Sequence, residues 1–342
     1  MWDKQDERHT AMNTTLSIPL LRKLYARMLL TRLVDERLVR LHTHGYGDVV
    51  ASCQGHEAAQ VGTAICIELG QDFTLPYYRD LGVVLTIGMT PYEIFRTYLQ
   101  SPATQVAQDQ VTDEQQHLPT RHVPMPDWSY QKRNAVMGAV PVATHILHAA
   151  GIAFASKLRK APVVTVAYCG DGATCEPDFY EGIRFAAQHQ LPVIFICEQG
   201  CSIAGHDLTQ APSCLQKLEL PTGLTHQRLD GTDAEIVYHA MQQAMHHARE
   251  GHGPVLLEMD VVRSTATTES FHDPLIRCQQ WLEQQEAWDQ QWAEGLHSQL
   301  VEEVEQAMHN AIQDMLPVVL LPESQMTAAS TLAPSSAVSD QN

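Results

Sequence analysis

Gly170, Asp171 and Gly172 carry the strongest chemical signal in this sequence. They follow a continuous apolar run, PVVTVAYC at 162–169, and precede a helical stretch at 177–188. Glycines at the carboxyl end of a strand let backbone N–H groups approach a phosphate, and the start of the next helix favours negative charge. An aspartate among them is placed to hold a divalent cation on a diphosphate through hard oxygen ligation. Residues 170–175 also fit part of a GxGxxG dinucleotide fingerprint, with Cys175 at the third glycine. Glu198, 26 residues after Gly172, ends the next apolar run, roughly where a ribose-binding acid stands. A tight strand–helix turn with no ligand is the third reading. The local sequence leaves all three open.

The surrounding pattern predicts the elements that position this turn. Apolar residues at helical spacing predict one long amphipathic helix over 18–43, ended by Gly45 and Gly47. A second, small-residue helix is expected over 54–69. An extended segment follows over 72–79, and a helix over 90–99. Residues 101–135 have weak periodicity and read as a long loop. Residues 141–159 read as a small-residue helix. Apolar runs at 162–169, 191–197 and 254–261, with a further strand expected at 225–229, alternate with helical stretches at 177–188 and 233–250. Fully apolar strands alternating with helices predict a parallel sheet covered on both faces, an α/β fold. A helical acidic stretch spans 279–315. The expected organisation is a polar arm over 1–17, one domain over 18–315 and a disordered tail over 316–342.

The chain has 342 residues, 40 of them acidic and 22 basic, for a formal charge of −18. A surface this acidic repels phosphate backbones and anionic lipid, so neither nucleic acid nor membrane is an expected partner. No apolar run approaches a membrane span, and residues 1–17 lack the pattern of a signal peptide. The eight cysteines are scattered without a CxxC pair, which fits a reduced, cytoplasmic setting. His246 with His247, and His145 with His148, lack the carboxylate or cysteine that would complete a zinc set, and read as ordinary helix residues. Cys201 has no basic neighbour in sequence and reads as an unreactive thiol.

Nine stretches, taken in order, resemble the alpha subunits of thiamine-diphosphate-dependent 2-oxo acid dehydrogenases. They are LYARMLLTRLVDERL (24–38), QGHEAAQVG (54–62), PYYRDLGVVLTIGMTPYEIF (76–95), HLPTRH (117–122), PVATHILHAAGIAFASK (141–157), GDGATCEPDFYEGIRFAAQHQLPVIFICE (170–198), LDGTDAEIVYHAM (229–241), GHGPVLLEM (251–259) and DPLIRCQQWL (273–282). Each is weak alone; the ordered set is specific. The branched-chain type is the most similar, with the pyruvate type close.

The resemblance implies a three-layer α/β/α sandwich with a parallel sheet. It implies an α2β2 heterotetramer that holds thiamine diphosphate and Mg2+ between subunits and passes an acyl unit from a 2-oxo acid to a lipoylated acyltransferase. Gly170, Asp171, Gly172 and Ala173 then line the diphosphate, with Asp171 as a metal ligand. Tyr78 and Arg79 occupy the family's Tyr-Arg pair at the diphosphate, a role that suits a planar cation. Val142 falls where an aliphatic residue wedges the cofactor into its bent shape, although plain core packing explains it equally well. Thr144 and His145 align with a loop that holds K+ in some members, and a packed helix residue is the simpler reading of the histidine. The glutamate that activates the aminopyrimidine comes from the beta subunit. No catalytic residue is therefore assigned to this chain, which is expected to be inactive alone.

Three departures from the family pattern stand out. The expected Asn-Asn after the second strand is Gln199-Gly200, so one amide is lost and Gln199 is left as the alternative metal ligand. The aromatic two positions later is Ser202, a position that contributes its backbone carbonyl to the metal. Thr265 or Thr267 stands where a histidine is expected, and only residues 264–272 separate Arg263 from Asp273, a shortened loop in which His272 is the remaining histidine. Pro177 replaces a common glycine and is tolerated at a helix start. Two functional readings follow: an active alpha subunit with a variant metal site and loop, or a catalytically impaired paralogue that acts as a structural or regulatory partner of a beta-like subunit.

Overall fold

The computed structural model describes residues 16–46, 50–99, 133–136, 142–201, 215, 218–262 and 272–315. Its centre is a five-stranded, all-parallel sheet. The strands are β1 (Phe73–Leu75), β2 (Thr165–Gly170), β3 (Val193–Cys201), β4 (Thr225–Asp230) and β5 (Val255–Val262), in the order β1-β2-β3-β5-β4. All eight β5 residues are buried, as a strand covered on both faces requires.

Side chains alternate between the two faces. Ala167, Cys169, Phe195, Cys197 and Leu256 face α5 (Thr144–Leu158) and α6 (Pro177–Gln188). Val166, Tyr168, Ile194, Ile196, Leu257 and Met259 face α2 (Glu57–Ala64), α3 (Leu81–Ile87) and α7 (Ala234–Arg249). This is the expected α/β architecture. A further helical layer packs α1 (Ile18–Thr43) and α4 (Pro91–Leu99) with α9 (Gln290–Met315). A fourth cluster joins the start of α1 to α8 (Pro274–Gln284).

Three elements differ from the periodicity reading. Helix α2 ends at Ala64, short of residue 69, and starts only at Glu57, because Gly55 has φ 93° and a Cβ there would lie 2.2 Å from the Val262 carbonyl oxygen. Helix α3 falls in LGVVLTI, which is apolar on nearly every side and so lacks helical periodicity. The stretch 279–315 is two helices, α8 and α9. Glu286 between them adopts φ 53°, and the Ala287 carbonyl accepts two hydrogen bonds from Arg22. The tail, and the arm up to residue 15, lie outside the described residues, as does most of the 101–135 loop.

Candidate functional site

The GDG turn forms as the spacing predicts. Gly170 ends β2, and Asp171–Cys175 make a short 3-10 turn before Pro177 opens α6 at a position where a missing N–H costs nothing. Asp171 is partly exposed, and its Oδ1 accepts the Gly172 N–H at 3.0 Å. Gly172 has open space where a Cβ would stand. Ala173 is buried in the α5–α6 core and anchors the turn.

The second half of the site comes from the segment after β1. Tyr77 lies beside Gly170, its ring about where a Gly170 Cβ would touch it, at 3.5 Å. Tyr78 packs edge-on against Tyr77 at 5.0 Å, and the Arg79 guanidinium lies 5.4 Å from the Tyr78 ring. One Arg79 nitrogen donates to the Ser52 carbonyl at 2.8 Å. Burial works against the Arg79 charge, and the neighbouring tyrosines and Glu198 more than offset it. Tyr78, Arg79 and the GDG turn are thus contiguous at one end of the sheet, the carboxyl ends of β1 and β2.

Beneath them lies a buried polar cluster that the sequence reading did not assign. Glu198, in β3 and in register with Gly170, is 1% exposed. Its Oε2 accepts from the Tyr77 hydroxyl at 2.8 Å and the Gln60 amide at 3.3 Å, and lies 2.7 Å from His56 Nδ1. Asp80 accepts the Tyr77 N–H, and burial beside Glu198 pushes its carboxyl well above the usual range. Burial and the same carboxylate raise the Tyr77 hydroxyl. With its carboxylate committed inward, Glu198 is not presented to a ribose, which removes the structural basis of the dinucleotide reading. The signal was present in QGHEAAQVG and PYYRD, but only the fold brings these segments to β3.

On the opposite face of the sheet, Gln199 is buried and pairs in register with Asp260 of β5. Strand alternation puts Gln199 on the α5–α6 face with Cys197, whose thiol feels the Asp171 charge. Arg228 of β4 holds Asp260 through Nε at 2.9 Å and a terminal nitrogen at 2.7 Å. Gly200 adds no side chain. Ser202, Thr265 and Thr267 lie outside the described residues. The Nδ1 of His272 is buried without a hydrogen-bond partner among the described residues. Among them, too, no three His, Cys, Asp or Glu side chains gather as a metal set.

The start of α5 completes the rim. Val142 is 54% exposed, so plain core packing does not account for it. Ala143, at φ 69°, precedes the helix, and Thr144 Oγ1 donates to Asp178 of α6 at 3.1 Å. His145 is buried and donates from Nε2 to the Tyr168 carbonyl at 2.6 Å, with its pKa lowered by burial. It is a packed helix residue, as its sequence context indicates.

Comparison with known proteins decides the family. The model of the dehydrogenase E1 component family matches residues 25–319. The chain belongs to the dehydrogenase E1 component family. One relative of this E1 chain is the 2-oxoisovalerate dehydrogenase subunit alpha of Bacillus subtilis (strain 168), 34% identical over 280 residues, covering 81% of this chain and 80% of the relative. The 3-methyl-2-oxobutanoate dehydrogenase subunit alpha of Mycobacterium tuberculosis (strain ATCC 25618 / H37Rv) is 31% identical over 293 residues, 80% of this chain and 73% of its own. The pyruvate dehydrogenase E1 component subunit alpha of Staphylococcus aureus (strain N315) is 29% identical over 288 residues, with coverage of 78% and 71%. No helix among the described residues of the E1 chain is long and apolar enough to cross a membrane.

Proposed function

We propose that this chain is the alpha subunit of a thiamine-diphosphate-dependent 2-oxo acid dehydrogenase, acting on a branched-chain 2-oxo acid or pyruvate and passing the acyl group to a lipoylated acyltransferase. The observation that carries this reading is the convergence of Arg79 and the Gly170–Gly172 turn at one strand end, bridged by Tyr77 and Tyr78. The residues present fit a diphosphate: a planar cation anchored on a backbone carbonyl, an open glycine turn and a helix start. Their fit to Mg2+ rests on Asp171, with Gln199 on the α5–α6 face. Mg2+ is usually held by one or two carboxylates together with phosphate oxygens and waters, so one carboxylate serves.

In this reading Arg79 binds diphosphate oxygens, Gly172 lends its open backbone to the same group, and Asp171 holds the cation. Val142, exposed on the isolated chain, wedges the cofactor. When bound, thiamine diphosphate supplies the carbon nucleophile and the electron sink for decarboxylation. The beta subunit supplies the activating carboxylate and closes the site in an α2β2 assembly, so the chain alone is inactive. A reducing cytoplasm suits the free thiols, which include the buried Cys53, Cys169 and Cys197.

The test is co-expression with the beta partner, calorimetric titration of thiamine diphosphate with and without Mg2+, and a screen of 2-oxo acids for decarboxylation. Micromolar, Mg2+-dependent binding with turnover of one substrate class is expected. An assembled heterotetramer that binds no cofactor overturns the reading.

A further inference from the structure

We infer that Glu198 and His56 are positioning residues that hold the diphosphate-binding segment, through Tyr77, against the end of β2. This inference rests on the cofactor reading above and deepens it.

Three separate pieces of backbone meet on Glu198 Oε2. Tyr77 comes from the segment that continues directly into Tyr78 and Arg79. His56 stands at the start of α2, four residues after Ser52, whose carbonyl anchors the Arg79 guanidinium. Glu198 itself is aligned with Gly170 and is followed by Gln199. Glu198 Oε1 is buried too and has no hydrogen-bond partner among the described residues, so no second oxygen shares the work. Donors held on a carboxylate away from water are the strong kind, and deleting one leaves its partner buried with nothing to replace it. The expected result of deletion is therefore a displaced Arg79, read as weakened cofactor binding rather than as a lost contact with the cofactor.

The histidine ring bonds through Nδ1, the nitrogen that an asparagine amide reproduces in reach. His56→Asn is accordingly the conservative variant and His56→Ala the deletion. The experiment uses the full chain co-expressed with its beta subunit and titrates thiamine diphosphate at saturating Mg2+. Cofactor-free melting temperatures are recorded on the same samples. Leu282→Ala, a truncation in the core cluster where α8 meets the start of α1 and one side of α2, serves as the destabilised control.

His56→Ala is expected to weaken binding by roughly tenfold or more, and Tyr77→Phe by a smaller factor. His56→Asn should bring affinity back to within about threefold of wild type. Leu282→Ala should lower the melting temperature and leave affinity unchanged. Equal affinity in wild type and His56→Ala overturns the inference. So does an equal loss in Leu282→Ala, which would mark general destabilisation, or a failure of His56→Asn to restore binding. A wild-type assembly that binds no cofactor fails differently: it overturns the functional reading and this inference with it.

Discussion

The two faces of the sheet end in opposite ways at the carboxyl ends of the strands. On the α2–α3–α7 face, Glu198 gathers Tyr77, Gln60 and His56 into a cluster closed to solvent. On the α5–α6 face, Asp171 is partly exposed, Gly172 opens onto empty space and Val142 stands more than half exposed. One rim spends its polarity inside the fold, and the other leaves its turn open to solvent. Buried polar groups must find partners within the fold, whereas groups at an open rim can wait for a ligand. In the proposed function the polar cluster is thus the mount, and the glycine turn the binding surface.

This contrast is easiest to break at Asp171. Asp171→Ala should abolish Mg2+-dependent thiamine diphosphate binding, a loss of roughly a hundredfold or more, while the cofactor-free melting temperature stays within about 2 °C of wild type. A large stability loss would mean that the open rim is also a mount. Glu198→Ala should weaken cofactor binding as well and, unlike Asp171→Ala, lower unfolding free energy by about 3 kcal/mol in chemical denaturation, because three buried donors lose their acceptor. A change below about 0.5 kcal/mol would mean that the cluster rearranges freely.

Gln199→Ala sharpens the comparison at the open rim. Loss of the amide should raise the Mg2+ concentration needed for half-maximal cofactor binding by several-fold. An unchanged Mg2+ requirement would show that Asp171 alone supplies the protein's side chain to the site.

The smallest effect concerns His145. Burial holds its pKa below the ordinary value of 6.5, so the folded state prefers the neutral ring. As pH falls through 6.5 the unfolded chain gains a proton that the folded chain refuses, and stability is lost until the folded pKa is reached. His145→Gln keeps an amide donor for the Tyr168 carbonyl and removes this titration. Its melting temperature should fall less than that of wild type between pH 7 and 5.5, by about 1–3 °C. Identical pH profiles would mean that other groups set the slope.

Much of the fold was legible in the sequence, and the reason is periodicity. Helices α1 and α6 run over the residues that the apolar spacing marks, Ile18–Thr43 and Pro177–Gln188; α6 buries one face, and α1 does so at its two ends while Met28–Asp35 is buried on every side. Strands β2, β3 and β5 were legible as largely apolar runs, whereas β4 (Thr225–Asp230) carries His226, Gln227 and Arg228 and is buried only at Leu229. Helix α3 was not, since a helix buried on nearly every side has no polar stripe to betray its period. Nor was the start of α2, which is fixed by the approach of Gly55 to the Val262 carbonyl, more than two hundred residues away in the chain.

For the site, the sequence by itself determined the glycine turn, the Tyr78-Arg79 pair and the family to which both belong. These are short contiguous segments whose backbone demands are local: small residues where the chain must turn, a helix start after the turn, a planar cation beside a tyrosine. Only the tertiary structure decided that His56, Gln60, Tyr77 and Glu198 share one carboxylate oxygen, that Val142 faces outward and that His145 faces in. Each of those facts depends on which strand lies beside which and on the one-residue alternation that sends Glu198 to one face of the sheet and Gln199 to the other.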